Sequence, residues 1–254
     1  MSSLIFDTHA HYDDKSFDED RAEVLNMLPQ SNVFAVVNAG ADIESSVKSI
    51  EISKEYDYVY ASVGIHPENI PDEKCDYISI LEDLLKNEKV VAIGEIGLDY
   101  HYTKDNKAKQ MELFENQINL AVNHNLPIMV HDREAHGDTM DLLKKHTPKG
   151  IVHCFSGSVE MAKEVIKLGM YIGIGGLITF KNAKTAVSVV ENIPLSSIVL
   201  ETDAPYMTPV PFRGTRCNSS HIKYTAEKIA EIKKMDVNEV LKITKENALK
   251  VFNL

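Results

Sequence analysis

Cysteine is scarce in this chain: Cys75, Cys154 and Cys217 are the only three in 254 residues, an odd number at wide spacing. That excludes a disulfide framework and fits reduced thiols in a cytoplasmic protein. No stretch of about 18 apolar residues occurs, so no membrane-spanning helix is predicted. The N-terminus has no basic stretch, and Asp7 breaks the first apolar run, which argues against a signal peptide. Positive charge is also short. Lys and Arg total 27 against 38 Asp and Glu, a net charge of −11. A surface of that sign does not coat nucleic acid. It still admits a polyanion gripped at one site, where bound cations dominate the local field. Gly/Ser-rich linkers and low-complexity tracts are missing too, so a single domain over residues 1–254 is expected.

Eight short apolar, β-branched runs are present, at residues 4–11, 33–39, 59–65, 90–96, 127–130, 151–155, 170–174 and 198–200. Helix-like segments separate them. Met111, Phe114, Ile118 and Val122 keep helical spacing, as do Met161, Val165 and Leu168. A helix is expected over residues 18–28, and another over 236–252 that opens with the capping-box-like Asp236-x-x-Glu239. Strands alternating with helices imply parallel pairing. The count and the length predict an α/β fold, a closed (β/α)8 barrel of the TIM type, with an open doubly wound sheet as the alternative.

Barrels of this kind place their chemistry at the C-terminal ends of the strands. His9 and His11 lie two apart on the first strand, so their side chains point the same way. The third strand runs into Gly64-Ile65-His66-Pro67, and the fourth carries Gly94-Glu95-Ile96-Gly97-Leu98-Asp99. The fifth ends in His131-Asp132-Arg133. The sixth holds His153-Cys154-Phe155-Ser156-Gly157, and the eighth ends in Glu201-Thr202-Asp203-Ala204-Pro205. Imidazoles and carboxylates gathered at one end make a metal centre the expected reading. Paired divalent cations about 3.5–4 Å apart need nitrogen and oxygen ligands and a bridging carboxylate. The expected set is a first cation held by His9, His11, Glu95 and Asp203, and a second by Glu95, His131 and His153. Cys154 follows His153 in a strand and should point the other way, leaving a nitrogen/oxygen site. Such ligands suit Zn, Mn or Mg.

These motifs, with Tyr206 after Pro205, resemble the TatD family of metal-dependent deoxyribonucleases along nearly the whole chain. The resemblance implies a TIM-type barrel, two divalent cations, the ligand set above, and hydrolysis of DNA phosphodiesters, in the 3′→5′ exonuclease sense. One segment departs from the family pattern: in Thr215-Arg216-Cys217-Asn218, Cys217 stands where Asn is common.

Asp203 and Glu95 are expected to be catalytic, with Asp203 taking the proton of the attacking water. His66, not required as a ligand, is expected to donate to a phosphate or leaving-group oxygen. Arg133 and Arg216 are candidate phosphate clamps, and Arg213 is expected to form a surface ion pair. Tyr100, His101 and Tyr102 are candidates for stacking on unpaired bases, set against plain loop packing. Gly173-x-Gly175-Gly176 reads as close packing in the barrel rather than a phosphate loop. DNA is expected to be weakly held, through single-stranded or frayed ends. No obligate protein partner is indicated. A small-molecule amide, lactone or phosphoester hydrolase on the same barrel, and a non-catalytic scaffold, are the competing readings.

Overall fold

Valine, isoleucine and alanine fill the strands because each strand is covered on both faces, by barrel interior on one side and helices on the other. Residues 4–102 and 105–254 are described in a computed structural model. Its strands are β1 (Ile5–Ala10), β2 (Val33–Ala39), β3 (Val59–Val63), β4 (Val90–Asp99), β5 (Ile128–Arg133), β6 (Gly150–Val152), β7 (Tyr171–Ile174) and β8 (Ile198–Leu200). Its helices are α1 (Arg21–Met27), α2 (Ile43–Glu55), α3 (Tyr77–Leu84), α4 (Lys107–Asn123), α5 (His136–His146), α6 (Val159–Lys167), α7 (Lys184–Asn192), α8 (Ile222–Lys233) and α9 (Val237–Phe252).

The strands pair in sequence order, all parallel. Between β8 and β1 the ladder shrinks to one bridge, Ala10 with Ala204. Three bonds support it: Thr8 Oγ1 donates to Leu200 O at 3.1 Å, Asp203 N to His9 O at 2.9 Å, and His11 N to Ala204 O at 2.7 Å. The sheet is therefore a nearly closed (β/α)8 barrel of the TIM type, not an open doubly wound sheet. Phe6, Val37, Val91, Met129 and Val199 pack inside it, and α9 seals its N-terminal end with Ala248, Val251 and Phe252. Phe252 stacks on Phe6 at 5.8 Å between ring centroids.

The structure alters several local expectations. The strand read over 90–96 continues to Asp99. It passes through Gly97 at φ 151°, where an added Cβ would lie 1.9 Å from His131 O. Only glycine permits that approach. In α4, Phe114 and Ile118 are buried as expected, but Val122 is 48% exposed. Two glutamines are buried in that helix instead. Gln117 bonds both the N and the O of Ile65, at 2.7 and 3.0 Å. Gln110 does the same for Asp99, at 2.8 and 2.9 Å. Asp236 caps α9 by accepting from Asn238 N and Glu239 N, without a returning bond from the Glu239 side chain.

Candidate metal centre

His9 in β1 and His11 just past its end lie on one side, with their Nε2 atoms 3.1 Å apart. His11 Nδ1 is bonded to Ala39 O at 2.9 Å, which fixes its ring. Glu95, buried in β4, faces them across the barrel mouth. Its Oε2 lies 3.3 Å from His9 Nε2 and 3.6 Å from His11 Nε2. Its Oε1 lies 2.8 Å from His131 Nδ1, 2.8 Å from His153 Nε2 and 3.7 Å from His66 Nε2. Asp203 Oδ1 completes the first side, 3.5 Å from His11 Nε2 and 3.8 Å from His9 Nε2. One carboxylate thus divides its two oxygens between two sets of donors. The ligand atoms form three overlapping groups that can hold a cation: His9–Glu95–His153, His9–His11–Asp203 and His66–Glu95–His131. The third adds His66 to the possible ligands, a role not expected from the sequence. Nitrogen and carboxylate oxygen at this density fit divalent cations.

The electrostatics follow from burial opposed by close charge. Burial alone would raise Glu95, but His153, His9 and His66 around it hold its carboxyl well below the usual range. Burial lowers His9 to about 4, helped by the charge of His153, and brings His66 to about 4 as well. His11 goes the other way, to about 10, because the Asp203 bond and the Glu95 charge outweigh burial. His131 also reaches about 10, against burial, through Asp99 and Glu95. Glu95 raises His153 too, against burial, so protons on His11, His131 and His153 balance the carboxylates when no cation does.

The rim supplies the remaining groups. Arg133 lines the same cleft, with its guanidinium 4.9 Å above the ring of Tyr102. Tyr102 is 61% exposed, whereas Tyr100 is buried and donates its hydroxyl to Asp138 at 2.7 Å. Tyr100 is therefore not free to stack on a base. Arg216 is not among the residues lining the cleft. Its guanidinium bonds Asp20 and Ser16 O and covers the Phe17 ring, so the structure does not bring this expected phosphate clamp to the site. Arg213 lies over Phe180 at 4.3 Å. Cys154 departs from expectation because β6 ends at Val152. Past the strand it takes φ 43°, and it lines the cleft beside His153 instead of pointing away.

Three acids escaped the sequence reading as site residues. Asp99 Oδ2 lies 3.2 Å from His131 Nε2. Glu201 Oε1 accepts from Cys154 N at 2.5 Å. Asp7 joins β1 to the end of β8, accepting from Thr202 N and Oγ1 and from Ser219 Oγ. Only Asp99 had a signal available, since residues 95, 97 and 99 share a face once the strand is carried to its true end.

The family model "TatD related DNase" matches residues 6–253. The chain belongs to the TatD family. Among its TatD-like relatives is the Bacillus subtilis (strain 168) "uncharacterized metal-dependent hydrolase YabD", 43% identical over 99% of this chain and 100% of that protein. The crystal structure of YjjV, a TatD homologue from Escherichia coli K12, superposes with a TM-score of 0.93 at 30% identity, covering 100% of both chains. A TatD family hydrolase from Entamoeba histolytica shares the fold, with a TM-score of 0.88 at 23% identity over 99% of each chain. Among the described residues, no helix is long and apolar enough to cross a membrane.

Proposed function

We propose that this TatD protein is a metal-dependent deoxyribonuclease that hydrolyses DNA phosphodiesters from 3′ ends, on single-stranded or frayed DNA. Its family and the metal-dependent-hydrolase names of its relatives support the hydrolase class. The observation that carries the reading is Glu95, whose two oxygens face separate histidine sets at the floor of one cleft. In this reading His9, His11, Glu95 and Asp203 hold a first cation, and Glu95, His131 and His153 a second. Divalent cations bound there would supply activated water near neutral pH and would offset charge at phosphorus.

The chain's own residues do the rest. Asp203 is ionised, brought below its ordinary range, against burial, by the His11 bond, and so can take a proton from water. His66 is neutral, and its Nδ1 accepts from Glu68 N at 3.2 Å. The proton therefore sits on Nε2, facing the floor of the cleft, where it can donate to a phosphate or leaving oxygen. Arg133 offers a forked donor to the phosphate at the rim. The cleft measures 840 Å3, within the range of about 300–1,000 Å3 that encloses small ligands. It suits a strand end and leaves an intact duplex outside.

One observation favours a second reading, hydrolysis of a small phosphoester, amide or lactone. Asp13, Asp14, Asp42 and Glu68 line the cleft, and Arg133 is the one Lys or Arg among the described residues lining it. A metal-titrated digest of end-labelled single- and double-stranded DNA and RNA, run beside p-nitrophenyl phosphates and esters, separates the two. Shortening of single-stranded DNA from its 3′ end supports the nuclease. Turnover of the small esters alone rejects it.

A further inference from the structure

Behind His153, two buried polar atoms have no hydrogen-bond partner among the described residues: its own Nδ1 and Oε2 of Glu201. Glu201 stands just past β8 and is 1% exposed. Its Oε1 lies 3.7 Å from His153 Nδ1 and accepts from Cys154 N. The neighbouring strand is hollowed for this carboxylate. At Gly173 in β7, an added Cβ would sit 2.4 Å from Glu201 Oε2. The other histidines of the centre show what a backing partner does. His11 Nδ1 is bonded to Ala39 O, and His131 Nε2 to Asp99. His9 Nδ1, like that of His153, has no partner.

We infer that Glu201 is a positioning residue that acts through His153, accepting a hydrogen bond from Nδ1–H so that the Nε2 lone pair is aimed at a cation beside Glu95. The reason is tautomeric. An imidazole that ligates through Nε2 must keep its proton on Nδ1, and a carboxylate beyond Nδ1 fixes both tautomer and ring plane. A small rotation of ring or carboxylate closes the 3.7 Å gap. The Cys154 N–H bond ties the same carboxylate to the turn that carries His153, so acid and ligand move as one unit. The role rests on the metal-centre reading above.

The test uses the full-length protein, stripped with chelator and titrated calorimetrically with Mn2+ and, separately, with Zn2+. Wild type is expected to bind two cations, and H153A to weaken or lose one of them. E201Q is expected to weaken that same cation about 10–100-fold and to spare the other. In the H153A background E201Q should add nothing, because its partner is gone. G173A crowds the carboxylate without changing its charge, and its methyl also lies 3.0 Å from His153 Cα, so it should weaken the same cation at least as much as E201Q. Wild-type affinities in E201Q and G173A, or a further loss from E201Q in the H153A background, would overturn the role. So would equal weakening of both cations together with a lower thermal midpoint of stripped E201Q, which would place Glu201 in the barrel's support. A wild type that binds neither Mn2+ nor Zn2+ would overturn the metal centre itself, and the role with it, on the wild-type trace alone.

Discussion

His11 and His131 each hold a proton to about pH 10 in the cation-free site, far above the ordinary 6.5. A cation that binds their ring nitrogens must expel those protons. Affinity should therefore climb as pH rises from below 6.5 towards 10, and fall in acid. Calorimetry of Mn2+ binding at pH 7.5, in two buffers of different ionisation enthalpy, should show release of at least about two protons per chain, from His11 and His131, with His153, raised by Glu95, able to add another. No buffer dependence would contradict the assignment. The arginines divide just as sharply. In the proposed nuclease reading R133A would remove a charge-assisted phosphate contact worth about 1.5–3 kcal/mol, so KM for single-stranded DNA should rise at least about tenfold with cation stoichiometry unchanged. R216A should leave KM alone, because that guanidinium is spent on Asp20 and Ser16. Steady-state assays of both variants decide the point.

At the scale of elements, α4 aligns the ends of β3 and β4, two of the strand ends that face the cleft. Gln117 and Gln110 lie seven residues apart on one face and clasp the backbone at Ile65 and Asp99. Those residues lead directly to His66 and hold His131. Q117A would leave a buried backbone N–H and C=O unpaired, at a cost of about 1–3 kcal/mol each. The urea midpoint should fall accordingly, and kcat/KM should fall as well, because the turn bearing His66 loses its anchor. An unchanged midpoint would show that solvent replaces the glutamine.

The whole molecule closes on Asp7. Burial raises its carboxyl from 3.8 to about 6, against the bonds from Thr202 and Ser219. The folded state thus holds the proton more tightly than the unfolded chain does. That contribution is full below pH 3.8 and is lost as pH rises through 6. Unfolding of chelated wild type compared with D7N, from pH 4 to 7, should show wild type losing about 2–2.5 kcal/mol relative to the variant. A constant difference would mean that Asp7 does not titrate across the fold. Net charge acts at the same scale. With −11 overall and one arginine at the described rim, few phosphates are neutralised. Binding of single-stranded DNA should fall with salt at a log–log slope no steeper than about −2. A slope of several units would reveal a basic track outside the cleft.

The barrel was legible because parallel strands buried on both faces must be Val- and Ile-rich, so their spacing is written locally. The His9/His11 pair was legible for a similar reason, since alternation alone sets them on one side. What escaped depends on partners far along the chain. Glu201 meets Cys154, Asp7 meets Thr202, and Gln117 meets Ile65 only after the strands have found their register. Cys154 and Arg216 show the converse, because a strand ending three residues earlier and an Asp20 within reach redirected both. Sequence by itself determined which residue types stand at each strand end, since pattern is a property of neighbours. Tertiary closure decided which atoms face which, since distances between β1, β4 and β8 exist only once the sheet has curled into a cylinder.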